Sequence, residues 1–75
     1  MNTPLKEIRV RRGLTLDVVS RAVETDTGNL SRIENGKQGA SVQLAERLAN
    51  YYDGEISEIA ILYPDRFRAG HKDAA

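Results

Sequence analysis

The stretch from Thr15 to Gly36, TLDVVSRAVETDTGNLSRIENG, restricts the fold of this chain more than any other part of it. It reads as two short helices joined by a tight turn. In the first, Val18, Val19, Ala22 and Val23 recur at i, i+1, i+4 and i+5, one apolar stripe on a helix with a period of about 3.6 residues. In the second, only Leu30 and Ile33 are apolar, and Thr27, Gly28, Asn29, Ser31 and Arg32 are left facing elsewhere. A short helix with so narrow an apolar face does not persist alone in water. It has to lean on the first helix and on whatever flanks the pair, which turns a row of small polar side chains and one arginine outward. Such a surface is suited to reading hydrogen-bonding groups on a partner.

The flanks supply further helices. Thr3-Pro4 is a start signal, because threonine accepts an N-cap hydrogen bond and proline at N1 loses no helical bond. Leu5 and Ile8 give this helix a buried edge, and Gly13 ends it at about Arg12. Thr15 caps the second helix, Asp17 sits in its first turn where the macrodipole favours a negative charge, and it stops near Val23. Glu24-Thr25 form the turn. Asp26 caps the third helix, Thr27 to Glu34, which Asn35-Gly36 stops because both residues tolerate a positive φ. A polar loop, Lys37 to Ala40, leads to Ser41 as cap of a fourth helix, where Val42, Ala45, Leu48, Ala49 and Tyr52 hold helical spacing up to Asp53-Gly54. A fifth, shorter helix covers about Ile56 to Tyr63, with Ile56, Ile59 and Leu62 inward, and Pro64 closes it. No stretch alternates with period two, so the expectation is all-α, five helices and no sheet. Residues 1–63 form the domain, and 64–75, polar and without period, read as a disordered tail.

Seventy-five residues suffice for one domain with one shared core and are too few for two. Eleven basic and eleven acidic residues cancel, so net charge gives no hint of a nucleic-acid partner. Their distribution says more. Lys6, Arg9, Arg11 and Arg12 crowd the start against Glu7, whereas Asp53, Glu55 and Glu58 gather near the end; such a chain can present a positive face while neutral overall. There is no cysteine, which excludes disulfides and thiolate metal sites. No apolar run is long enough to cross a bilayer and no secretory leader is seen, so a cytoplasmic protein without membrane contact is expected.

The run SRIENG with LT upstream, the loop KQGAS, the segment LAERLANYY and a short terminal helix together resemble the Cro/C1-type (Xre-like) helix-turn-helix family of phage repressors and Cro proteins. The similarity spans roughly Leu5 to Leu62. It implies a five-helix, lambda-repressor-like DNA-binding domain with the helix-turn-helix at the second and third helices. In that family the second helix of the motif enters the DNA major groove and its first two turns contact base edges. Here those positions hold Thr27, Gly28, Asn29 and Arg32. Arg32, the only long donor among them, can give two parallel hydrogen bonds to guanine O6 and N7, a pairing that discriminates by roughly 1–3 kcal/mol. Thr27 offers a hydroxyl or a methyl, and Asn29 can address adenine or a phosphate.

By the same resemblance, phosphate contacts fall to Thr15, Ser31, Lys37 and Gln38, which position the domain without choosing sequence. Arg11 and Arg12 extend the basic edge or form a solvated helix face. Arg9 and Glu34 are implied to pair structurally, planar guanidinium on carboxylate, seating the third helix on the first. Three positions depart from the family's pattern. Leu16 stands where glutamine is common and can neither bond a phosphate nor brace the recognition helix. Glu24 occupies a turn site usually held by glycine in the left-handed region, a strain of roughly 1–2 kcal/mol. Ser20 replaces a small apolar residue at the helix crossing. Gly28 costs its helix about 1 kcal/mol relative to alanine; it either allows close approach to a base pair or merely loosens the first turn.

Nothing supports catalysis. The single histidine, His71, lies in the tail with no carboxylate or nucleophile spaced to make a triad, and no glycine-rich phosphate loop or metal-spaced cluster is present. No cofactor, metal or small-molecule ligand is expected. The resulting expectation is a sequence-specific double-stranded DNA-binding transcriptional regulator, a Cro-like or small repressor bound to its operator as a homodimer, with Leu62, Tyr63, Phe67 and Tyr51 as dimer-surface candidates or, equally, core. The alternative is an antitoxin-like or adaptor module using the acidic end, Asp53 to Glu58, to hold another protein.

Overall fold

A computed structural model describes residues 3–64. Five α-helices follow one another, α1 Pro4–Arg11, α2 Leu16–Ala22, α3 Thr27–Glu34, α4 Val42–Tyr51 and α5 Glu58–Leu62, and there is no strand among the described residues. The tail, with Phe67 and His71, lies outside that range.

Each helix begins on a side chain made for the purpose. Thr3, Thr15, Asp26, Ser41 and Ser57 sit in extended backbone, and each accepts a hydrogen bond from the amide three residues on. Such a cap satisfies one of the orphan donors of a helix start. The Ser57 cap corrects the expected start of α5, which begins after Ile56. Four helices also end alike. Gly13, Glu24, Gly36 and Asp53 take positive φ, and the next amide in each case bonds back to the carbonyl five residues earlier. This is the Schellman ending, which satisfies a last-turn carbonyl and turns the chain away.

One core joins all five elements: Leu5 and Ile8 of α1, Val19 and Val23 at α2, Leu30 and Ile33 of α3, Leu44, Ala45, Leu48 and Ala49 of α4, then Tyr52, Ile56, Ala60 and Ile61. Several facing assignments differ from the sequence expectation. Val18 and Val42 are exposed, as is Ala22, and the inner face of α2 is completed by Ser20 instead. Ser20 Oγ satisfies itself by donating to the Asp17 carbonyl at 3.2 Å. In α5 the later start rotates the face, so Ala60 and Ile61 are buried and Ile59 is exposed. Leu62 and Tyr51 pack against the core, Tyr51 edge-on to Tyr52 with ring centroids 5.0 Å apart.

The basic start and the acidic end do not stay separate. Arg11 Nη2 lies 2.5 Å from Glu55, and Arg12 bonds the other oxygen of the same carboxylate. These hydrogen bonds, Arg12's first, hold the Glu55 carboxyl below its ordinary range. The two arginines therefore tie α1 to the loop before α5 and do not form the positive edge their clustering implied.

Candidate nucleic-acid interface

The outward face of α3 is decided by two residues. Leu30 and Ile33 are buried, at 0% and 4% exposure, and so turn Thr27, Gly28 and Arg32 to solvent with Asn29 half-exposed beside them. α2 packs against α3 through the turn at Glu24, whose φ of 64° lets the chain reverse after Val23.

α3 is seated from its C-terminal end. Arg9 Nε lies 3.0 and 2.9 Å from the two carboxylate oxygens of Glu34, and Arg9 Nη1 donates to the Leu14 carbonyl at 2.7 Å. The guanidinium thus bridges α3, α1 and the loop before α2. Burial pushes the Glu34 carboxyl above its ordinary range against the pull of Arg9 and Lys6. Thr3 has a second task besides capping. Its hydroxyl donates to the Glu34 carbonyl at 2.7 Å and is itself buried, so the start of α1 is pinned to the end of α3. The N-cap role was visible in the sequence. This longer bond was not, because its partner lies 31 residues away.

On the outer face the polar side chains are linked to one another. Arg32 Nε donates to Gln38 Oε1 at 3.0 Å, Gln38 Nε2 donates to Asn29 Oδ1, and Asn29 Nδ2 donates to Thr25 Oγ1 at 2.9 Å. Thr25, a turn residue by sequence, joins the site through its spacing of four from Asn29. A methyl group added at Gly28 would meet Arg32 Nη1 and Asp26 Oδ1 at 3.4 Å each, the near edge of ordinary contact, which places the Arg32 guanidinium over the first turn. Lys37 is exposed just past Gly36, and Ser31 is half-buried, its hydroxyl accepting weakly from Asn35 Nδ2 at 3.4 Å. Thr15 stands apart from this group at the start of α2, exposed, its oxygen accepting from the Val18 amide and its hydroxyl hydrogen still available. Leu16 packs against the core.

The distribution of ion pairs singles out the same surface. Arg9, Arg11, Arg12, Arg21 and Arg47 each face a carboxylate within 3.6 Å. Among the described residues Lys6, Arg32 and Lys37 make no ion pair. Lys6 Nζ donates to Asn35 Oδ1 at 3.2 Å, at the C-terminal end of α3, whereas Arg32 lies on the outer face of α3 and Lys37 in the loop after it. In the sequence Lys6 stands only among the N-terminal charges; its contact with Asn35 arises from the fold. No group of acidic, histidine or cysteine side chains able to hold a metal occurs among the described residues, and none of their helices is long and apolar enough to cross a membrane.

A family model described as a helix-turn-helix domain matches residues 4–60, which is α1 through the middle of α5. No curated protein and no solved structure matches the chain.

Proposed function

The chain belongs to the helix-turn-helix domain family, a DNA-binding superfamily with Cro/C1/Xre-like members, and from that premise we propose that it is a sequence-specific, double-stranded DNA-binding transcriptional regulator. It acts in the cytoplasm as a small Cro-like repressor, by occupying an operator and not by catalysis. α3 enters the major groove, Arg32 reads a guanine, Asn29 and Thr27 read or approach neighbouring edges, and Gly28 lets the helix come close. Thr15, Ser31, Lys37 and Gln38 meet phosphates. One observation carries this reading: Arg32 and Lys37, on α3 and in the loop after it, make no ion pair, while Arg9, Arg11, Arg12, Arg21 and Arg47 each face a carboxylate. Unpaired positive charge beside a row of hydrogen-bonding side chains is what phosphate anchoring and base-edge contact require together.

A single domain of this size covers too little groove to select a site firmly, so the operator is bound by a homodimer on two-fold related half-sites. Ile59 and Tyr63, four residues apart and 55% and 54% exposed, supply the apolar surface for pairing. The alternative, an adaptor module, would use the acidic end, of which one carboxylate, Glu55, is already held by Arg11 and Arg12.

The test is duplex binding across a salt series together with selection of bound sites from a random pool. Affinity for random duplex should fall linearly on a log–log scale, with a slope of about −0.9 per phosphate neutralised. The selected site should be a two-fold repeat. Weak binding that ignores salt, with no site recovered, would refute the function.

A further inference from the structure

We propose that Gln38 is a positioning residue for base reading: its side-chain amide clasps Arg32 and Asn29 together, so that the two α3 side chains meet DNA as one coupled pair. The inference rests on the DNA-reading function above. Its ground is a chain of hydrogen bonds whose direction has one solution. A guanidinium has donors and no acceptor, so Arg32 Nε must face the oxygen end of Gln38, 3.0 Å away. The Nε2 end is thereby turned to Asn29 Oδ1, and Asn29 Nδ2 to Thr25 Oγ1 at 2.9 Å. Arg32 thus dictates the orientation of both amides, from the loop across α3 to the turn before it.

What remains for a base follows by subtraction. Arg32 keeps Nη1 and Nη2, a fork that matches guanine O6 and N7. Asn29 keeps one N–H and one oxygen lone pair, the adjacent donor and acceptor that match adenine N7 and N6. Held at both ends, the Asn29 amide offers them in one order only. Fixing these rotamers before binding removes an ordering cost that would otherwise fall at association. One Nε2 hydrogen of Gln38 is left over, so a phosphate contact from the same residue is compatible with the clasp.

The experiment uses the full chain and the site it selects. Arg32→Ala and Asn29→Ala first identify which base pair each reads. Gln38→Ala and the length-matched Gln38→Met should then reduce discrimination at both base pairs by about tenfold, over and above a uniform loss of affinity on all duplexes from the missing phosphate contact, while the melting temperature stays within error of wild type. In the Gln38→Ala background, adding Asn29→Ala should cost far less than it does in wild type. In the free protein, without DNA, NMR should show the Asn29 side-chain amide signals shifting and Arg32 Nε–H exchange quickening in both Gln38 variants. Equal loss on all sequences would make Gln38 a phosphate contact only, and unmoved Asn29 and Arg32 signals would show that no clasp exists; either result overturns the proposal. A wild type with no sequence preference would overturn the DNA-reading function and this inference with it, and the DNA-free spectra tell that failure from loss of the clasp.

Discussion

At Arg32 two demands meet that usually conflict. A reader side chain has to be free to reach a base, yet a long flexible one loses rotamer entropy when it binds. Here the guanidinium is exposed without an ion pair, while its Nε is tethered to Gln38. Arg32→Ala should therefore remove preference at one base pair by roughly 1–3 kcal/mol and leave the melting temperature unchanged. Lys37→Ala should weaken every duplex alike and reduce the salt slope by about one; titrations at several salt concentrations measure both. Glu24 shows strain at the same scale. Its φ of 64° is the left-handed region that its place in the turn led the sequence reading to expect. Glu24→Gly should raise unfolding stability by about 1 kcal/mol in urea titrations, since its ion-pair partner among the described residues, Arg47 at 3.6 Å, makes an exposed pair of little worth.

α3 illustrates how an element that is weak alone becomes a rigid probe. Two buried apolar residues cannot hold a helix of eight residues in place. The rest comes from α1: Arg9 on the Glu34 carboxylate and Thr3 on the Glu34 carbonyl. Glu34's side chain is 2% exposed, so removing its partner leaves a buried charge uncompensated. Arg9→Met should cost about 3–5 kcal/mol in chemical denaturation, whereas Arg9→Met combined with Glu34→Met should recover most of that loss. The helices were largely legible from sequence because their starts and stops are local. The bounds of α3 coincide with the expected ones, its cap and its glycine stop lying within a turn of its ends. α5 starts later than its apolar spacing implies, because Ile56 fits that spacing but precedes the Ser57 cap.

Over the whole molecule, Tyr52 marks where the elements converge. It is fully buried at the end of α4, with Arg12 5.3 Å from its ring centroid. Its hydroxyl has no hydrogen-bond partner among the described residues. Burial, first, and the charge of Glu34 push its pKa up to about 12. In the unfolded chain the phenol ionises near its ordinary value of about 10. Between those values the folded state keeps a proton that the unfolded state has lost, so stability is fully present below the lower value and falls as pH rises through the higher one. Tyr52→Phe should abolish this alkaline loss and, by removing a buried unsatisfied hydroxyl, raise stability near neutrality by roughly 1 kcal/mol. Urea titrations at stepped alkaline pH check both.

The sequence by itself determined the number of helices, the caps and stops of the first four, the turn at Glu24 and the outward placing of Arg32, because each depends on residues within about one helical turn of one another. Tertiary structure alone decided which cations remain unpaired. Arg11 and Arg12 lie 44 and 43 residues from the carboxylate that takes them, a separation at which no spacing rule operates. It likewise decided that Gln38, a loop residue, reaches back over α3 to hold Arg32 and Asn29. Local hydrogen bonds are written in adjacent residues, whereas charge pairing and side-chain clasps form only once packing brings distant segments within reach.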